Sequence, residues 1–249
     1  MAALDSTFLR LSATLSPWSV HKGFTPGTRL QCRFDLATQI PDPLRLTLTG
    51  TNDHTALAET ELGSWRGWTL LFDRGYYGHQ QFARLRASGV HFVTRLSEQA
   101  RYVTTAQHQV PVGPTPDGDV LLADDTVTLG SANNRRGTVL PNMRVVISRN
   151  RHQAVHGFVT YRHDLTATEV VRLYRKRWQI ELFFRWLKHQ LGVIHPLGHS
   201  RAAVWLSLLL AIIIAILLTL LEAERPASVS RICWAQSTAM TLLLTIMDG

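Results

Sequence analysis

The stretch 202–221, AAVWLSLLLAIIIAILLTLL, contains no charged residue. A run this long has two stable homes. One is a bilayer, which a helix of roughly 20 apolar residues can span. The other is the interior of a domain large enough to surround a helix on most sides. There is no second run of this kind, so the membrane reading is that of a single-span protein. The remaining sequence suits the interior reading. Of the 249 residues 45% are apolar and 18% charged, which describes a folded chain able to bury a core of ordinary size. That length suits one large domain, or one domain carrying an insertion. The opening MAALDSTFLRL has no basic region ahead of an apolar run and is not a secretory signal. Cys32 and Cys233 fit no disulfide or zinc framework and suit a reducing compartment.

The first third reads as strands. Residues 28–36 alternate, with Leu30, Cys32, Phe34 and Leu36 against Gln31, Arg33 and Asp35; 44–49 alternate again, and 4–11 do so more weakly. Short links rich in Pro and Gly separate them, which predicts an antiparallel meander. A helix-like segment at 54–62 follows. A buried run at 69–72 then ends at Asp73, with a helix over 78–87 and a strand over 90–94. Strand, helix, strand in succession implies parallel pairing. The middle, 97–161, changes to short β-branched runs between turns, clearest at 139–148 and 154–161, and carries no catalytic cluster of its own. Thr166 and Glu169 fit a capping box that opens one long helix, running to about Leu191 and stopping at Gly192. The expected division is 1–96, first part of a catalytic domain; 97–161, a β-rich insertion; 162–225, helical completion of that domain; and 226–249, a tail.

The net charge of +8 favours a polyanionic partner. Against this basic background three carboxylates stand out. Asp5 lies inside a strand candidate, where a strand-edge or turn role is the plain alternative. Asp73 ends the buried LLFD run, where it costs free energy unless it caps a helix, pairs with Arg74, or meets a metal. Glu181 is the only acid among Arg172, Arg175, Lys176, Arg177, Arg185 and Lys188. On one continuous helix Tyr174, Arg177, Glu181 and Lys188 share a face. The plain alternative pairs Glu181 with Arg177 and Arg185 at i±4. Together, three carboxylates are a donor set for magnesium. Two such ions can activate an attacking hydroxyl and stabilise a leaving 3′ oxygen. Neighbouring cations would hold the DNA phosphates.

These residues resemble a known family, the DDE transposases of bacterial insertion sequences, in the insertion-sequence-four type. Its Tyr-Arg-Glu-Lys signature is met by Tyr174, Arg177, Glu181 and Lys188. Its DRGY-like motif is met by Asp73-Arg74-Gly75-Tyr76, and its D-S/T-T motif by Asp5-Ser6-Thr7. FVTRL at 92–96 and the RWQIE run also resemble it, so the likeness covers nearly the whole chain. The resemblance implies an α/β fold: a ribonuclease-H-like mixed sheet with flanking helices and a β-rich insertion before the last catalytic helix. It places the first aspartate on the first strand and the second after the fourth, and makes 202–221 a buried helix. It implies Asp5, Asp73 and Glu181 as catalytic and metal-binding residues, two Mg2+ (or Mn2+) ions, and Tyr174, Arg177 and Lys188 as DNA contacts.

The resemblance also implies metal-dependent cleavage and strand transfer on double-stranded DNA, at transposon ends and target. A homodimer when active, a cytoplasmic nucleoid-associated location and no small-molecule substrate go with it. The family usually carries a helical N-terminal domain that recognises transposon ends; with the first aspartate at position 5, that region is expected to be missing. The competing functions are a catalytically silent remnant that only binds DNA, and a single-span membrane protein.

Overall fold

A computed structural model describes residues 1–130, 138–189 and 198–223. The early alternating runs form β1 (Ala2–Arg10), β2 (Gly27–Asp35) and β3 (Pro41–Leu48), paired antiparallel in chain order. β1 is longer than its weak alternation suggests, because Ala2, Ala3 and Leu4 are buried on both faces of the sheet and the period-two signal is lost there. Then come α1 (Asp53–Ala58), capped by Asn52, β4 (Thr69–Phe72), α2 (His79–Ala87) and β5 (His91–Arg95). β4 runs parallel to both β1 and β5.

Residues 97–161 supply β6 (Tyr102–Gln107), β7 (Val120–Leu129), β8 (Leu140–Arg149) and β9 (Val155–Thr160). They prolong the same sheet, because β9 pairs antiparallel with β5. The strand order is β3-β2-β1-β4-β5-β9-β8-β7-β6, a single large mixed sheet. Alternate side chains serve its two faces. Leu4, Leu70, Phe72 and Phe92 pack with Leu57 of α1 and Phe82 and Leu85 of α2. The opposite face is covered by α3 (Ala167–Lys176), α4 (Trp178–His189) and α5 (Arg201–Ala223).

The single long helix expected from 166 onward is two helices. α3 ends at Lys176 and α4 begins at Trp178; at Arg177 the backbone bonds tighten to i→i−3, Arg177 N–H to Tyr174 O (3.0 Å) and Ile180 N–H to Arg177 O (3.1 Å). The physical reason is that the two halves pack in different places. Val170 and Val171 of α3 sit over Leu71 and Val93, whereas Ile180, Phe183, Phe184 and Leu187 of α4 sit over Ala3, Leu30, Cys32 and Phe34. The sheet twists between those patches, and a straight helix would leave one of them uncovered. The expected stop at Leu191 and Gly192 lies outside the described residues, as do Cys233 and the tail after 226.

The uncharged run is α5. Leu208, Ala211, Ile212 and Ala215 are buried against α4 and the sheet, while Leu206, Ile213, Leu217 and Leu220 are exposed. By length and composition Arg201–Leu221 could cross a membrane; in this fold one of its faces belongs to the core.

The start of α3 is fixed twice. The capping box forms, with Glu169 N–H donating to Thr166 Oγ1 (3.2 Å) and Thr166 N–H to Glu169 Oε2 (2.7 Å). Behind it Arg144 of β8 grips Asp124 of β7 through two bonds of 2.7 Å, both side chains only 7% exposed. The same guanidinium donates to the carbonyls of Arg162 and Leu165, in the lead-in to α3. Asp124→Ala should therefore strand a buried guanidinium and destabilise the fold by about 3–5 kcal/mol. A urea midpoint within error of the parent would show that Arg144 is not held by this pair.

Candidate active site

β1 and β4 pair only through Ala2–Leu70 and Ala3–Leu71. Asp5 and Asp73 each stand two residues beyond the Ala3–Leu71 pair. Side chains alternate along a strand, so both carboxylates project toward the face of Ala3 and Leu71, the one covered by α3 and α4.

Asp5 is 16% exposed and accepts a 2.8 Å bond from the Ser6 amide. Asp73 caps the 3-10 turn Arg74–Tyr76, accepting from Gly75 N–H at 2.8 Å. The alternative Asp73–Arg74 pair is not formed, because Arg74 turns to Glu98 at 2.5 Å. Position 75 needs glycine for lack of room: a Cβ there would lie 2.9 Å from Asp73 Oδ1 and 3.0 Å from Asp53 Oδ2.

The third carboxylate arrives from the other side of the helix break. Arg177 Nη2 donates to Glu181 Oε1, and Arg177 Nη1 lies 3.5 Å from Asp5 Oδ2. One guanidinium, 13% exposed, thus bridges two of the three carboxylates. Burial works against its charge, but Tyr174, Glu181 and Asp5 outweigh that and hold its pKa above the ordinary value. The i,i+4 pairing weighed as the plain role of Glu181 is therefore present with Arg177. Tyr174 packs its ring against Phe158, tilted, with centroids 5.1 Å apart; Arg177 lies over its ring at 5.6 Å, and burial raises its phenol. Lys188 lies two turns beyond Glu181, roughly 10 Å along the axis, half-buried and with its ammonium pKa lowered by burial. Two cations read as candidate phosphate ligands are engaged elsewhere: Arg172 pairs with Asp117 (3.0 Å) and Arg175 with Asp119, in the turn between β6 and β7.

Burial pushes the Asp5 carboxyl from the ordinary 3.8 up to about 7; Asp73 and Asp53 add to the rise, while the Ser6 amide and Arg177 oppose it. The donor set is all oxygen and suits a hard divalent ion, which would supply the positive charge that ionised Asp5 lacks. Among the described residues, however, no group of three or more His, Cys, Asp or Glu is disposed to hold a metal. The Arg177 guanidinium spans the space between Asp5 and Glu181. The chemistry of the donors fits the ion, provided that guanidinium moves aside.

Sequence reasoning passed over Asp53. It accepts from Ser6 Oγ at 2.5 Å and from Gln31 Nε2 at 3.3 Å, and Gln31 Oε1 in turn accepts from Tyr76 OH at 3.2 Å. The available signal was its neighbour Asn52, a helix N-cap, which reads as ordinary helix punctuation.

Residues 2–218 match the family described as "Transposase DDE domain". A Sinorhizobium fredii protein named as a transposase, y4zB, is 29% identical over 210 residues, covering 84% of this chain and 57% of its own length. A Geobacillus stearothermophilus protein named as a transposase for insertion sequence element IS5377 is 25% identical over 218 residues, covering 88% of this chain and 55% of its own. The chain thus spans little more than half the length of these relatives. Among solved structures, a piggyBac transposase synaptic complex with hairpin DNA superposes with a TM-score of 0.54 over 97% of this chain and 52% of that one, at 9% identity, a likeness of fold.

The raised Asp5 carboxyl makes a pH prediction. Between about pH 4 and 7 the folded protein binds a proton at Asp5 that the unfolded chain has released, so this residue lowers stability as pH rises through that window. Asp5→Asn keeps the acceptor for Ser6 N–H and removes the charge. In metal-free buffer it should stabilise the protein by on the order of a few kcal/mol at pH 8, with the gain vanishing below pH 4. Urea midpoints at the two pH values check this; equal effects at both would mean that Asp5 ionises normally.

Proposed function

Because the chain belongs to the transposase DDE domain family, we propose that it is the catalytic part of a bacterial DNA transposase, cutting and joining DNA strands with Asp5, Asp73 and Glu181. The observation that carries this reading is the meeting of Asp5 and Glu181, 176 residues apart in the sequence, on one guanidinium, with Asp73 close enough to raise Asp5. A ribonuclease-H-like fold of the insertion-sequence-four type goes with it. The parallel strands β1 and β4 and the order of the DST, DRGY and Tyr-Arg-Glu-Lys motifs along the chain support that assignment.

In this reading Asp5, Asp73 and Glu181 hold magnesium or manganese. The chemistry two such ions supply, when bound, is activation of the attacking hydroxyl and neutralisation of the leaving 3′ oxygen. Arg177 exchanges its carboxylate partners for a DNA phosphate, which its planar fork suits as well. Lys188 adds a point charge along the backbone track. Tyr174 acts through its hydroxyl, since its ring is already packed against Phe158. Double-stranded DNA, as transposon end and as target, is the proposed partner, and a homodimer the proposed active assembly.

A DNA-binding remnant without catalysis is the second reading. The Arg177–Glu181 pair favours it, since that contact alone gives Glu181 a structural role.

The two readings part on paired variants of the chain, assayed on one short duplex at low salt, where phosphate contacts dominate. Glu181→Gln removes a carboxylate and no cation. It should abolish Mg2+- or Mn2+-dependent nicking while leaving DNA affinity equal or slightly higher. Lys188→Ala should weaken affinity and flatten its salt dependence by about one unit of slope or less. The catalytic assignment fails if Glu181→Gln costs only a few tenths of a kcal/mol of helix stability and nicking continues, or if the parent nicks equally well in chelator.

A further inference from the structure

The DST and DRGY motifs each contain a residue that carboxylate chemistry does not require, Ser6 and Gly75. Both lie against Asp53. Past Ala3, β1 has no strand partner on its β4 side among the described residues, so β2 is the one strand that pairs with the segment carrying Asp5. Ser6 follows Asp5 and points to the opposite face, where its hydroxyl donates to Asp53 Oδ1 at 2.5 Å. Arg29 Nη1 donates to the same hydroxyl at 3.2 Å. The other oxygen of Asp53 abuts Gly75, whose amide donates to Asp73 Oδ1. Gln31 closes the ring, donating to Asp53 and accepting from Tyr76, which lies one residue beyond Gly75. Asp53 itself opens α1, a separate element held in place by Leu57 in the core below. A single carboxylate therefore touches both the residue after Asp5 and the turn after Asp73.

We propose that Asp53 is a positioning residue that sets the separation of Asp5 and Asp73, acting through Ser6 on one side and the Gly75–Tyr76 turn on the other. This rests on the proposed function for its purpose, though not for its geometry. A partner that orients a metal-binding side chain without touching the ion typically changes metal affinity 10–100-fold when lost. The role needs an acceptor at Oδ1 and a group of carboxylate shape beside Gly75. It does not need the negative charge, so Asn should substitute and Ala should not.

Two measurements on the full chain test it. In the metal-free protein, amide exchange followed by NMR reads the Ser6 and Gly75 N–H groups, which donate to Asp5 and Asp73. Asp53→Ala should speed both tenfold or more and leave amides of β8 such as Val145 unchanged, with Asp53→Asn within about threefold of the parent. Uptake of Mn2+, followed by electron paramagnetic resonance of the free ion, should weaken about 10–100-fold in Asp53→Ala and hardly at all in Asp53→Asn. If Asp53→Ala does not fold, Ser6→Ala breaks the same contact from the other side and must speed the position-6 amide at least tenfold. The inference is overturned if folded Asp53→Ala exchanges at the parent's rates. It is also overturned if Asp53→Asn loses Mn2+ as badly as Asp53→Ala, which would make Asp53 a direct charge partner. A parent that takes up no Mn2+ sinks the proposed function instead, and the exchange rates still decide the role of Asp53.

Discussion

Two parallel strands in the middle of a covered sheet constrain everything around them. β1 and β4 enter the molecule side by side, and Ala2, Ala3, Leu70 and Leu71 are completely buried where they pair. No charge can be tolerated along that stretch without a partner. The first positions that can carry one are where the pairing ends, and because the strands are parallel, both chains reach that point together. Asp5 and Asp73 emerge there, two residues past one shared register pair. In parallel sheets the carboxyl ends of strands are the usual place for a site. The covering layer must then bring its own charges to the same end, and it does so with Arg177 at the break between α3 and α4 and Glu181 in the first turn of α4.

Charge balance at that point is tight. Asp5 is buried beside two other aspartates, and Arg177 reaches it at 3.5 Å. Asp5 and Glu181 share that guanidinium, and it sits at the break between α3 and α4. A residue at a helix break has fewer backbone bonds to lose than one in mid-helix. A phosphate approaching this end of the sheet competes with both carboxylates for one fork of donors. Binding of a polyanion and release of the carboxylates are then linked by the same side chain.

Much of this was legible in the sequence, for physical reasons. The buried run ending at Asp73 is bounded by charge on one side and aromatics on the other, and its span 69–72 is that of β4. The capping box at Thr166 and Glu169 is local chemistry and forms as read. The break at Arg177 was not legible, since it follows from where α3 and α4 pack and the 3.6-residue period runs through it with little disturbance. Nor was Asp53, which acts through contacts 22 and 47 residues away along the chain. A lone Asp after an Asn looks like helix punctuation, and spacing cannot reveal a partner that only the sheet brings near.

Residues 97–161 carry none of the three carboxylates, yet the position of Glu181 depends on them. β9 joins the sheet at β5, β8 follows, and Arg144 of β8 holds the carbonyls that lead into α3. The turn between β6 and β7 supplies Asp117 and Asp119 to Arg172 and Arg175, and Phe158 of β9 packs against Tyr174. α3 is therefore anchored at its start by β8, along its outer face by that turn, and near its end by β9. The direction in which it is held decides where the break at Arg177 falls. From that break α4 sets out over β1 and β2, bringing Glu181 to the end of the sheet where Asp5 and Asp73 emerge. Lengthening the sheet by four strands gives the molecule a lever for aiming one glutamate, and a shift anywhere along that lever would be felt at the carboxylates.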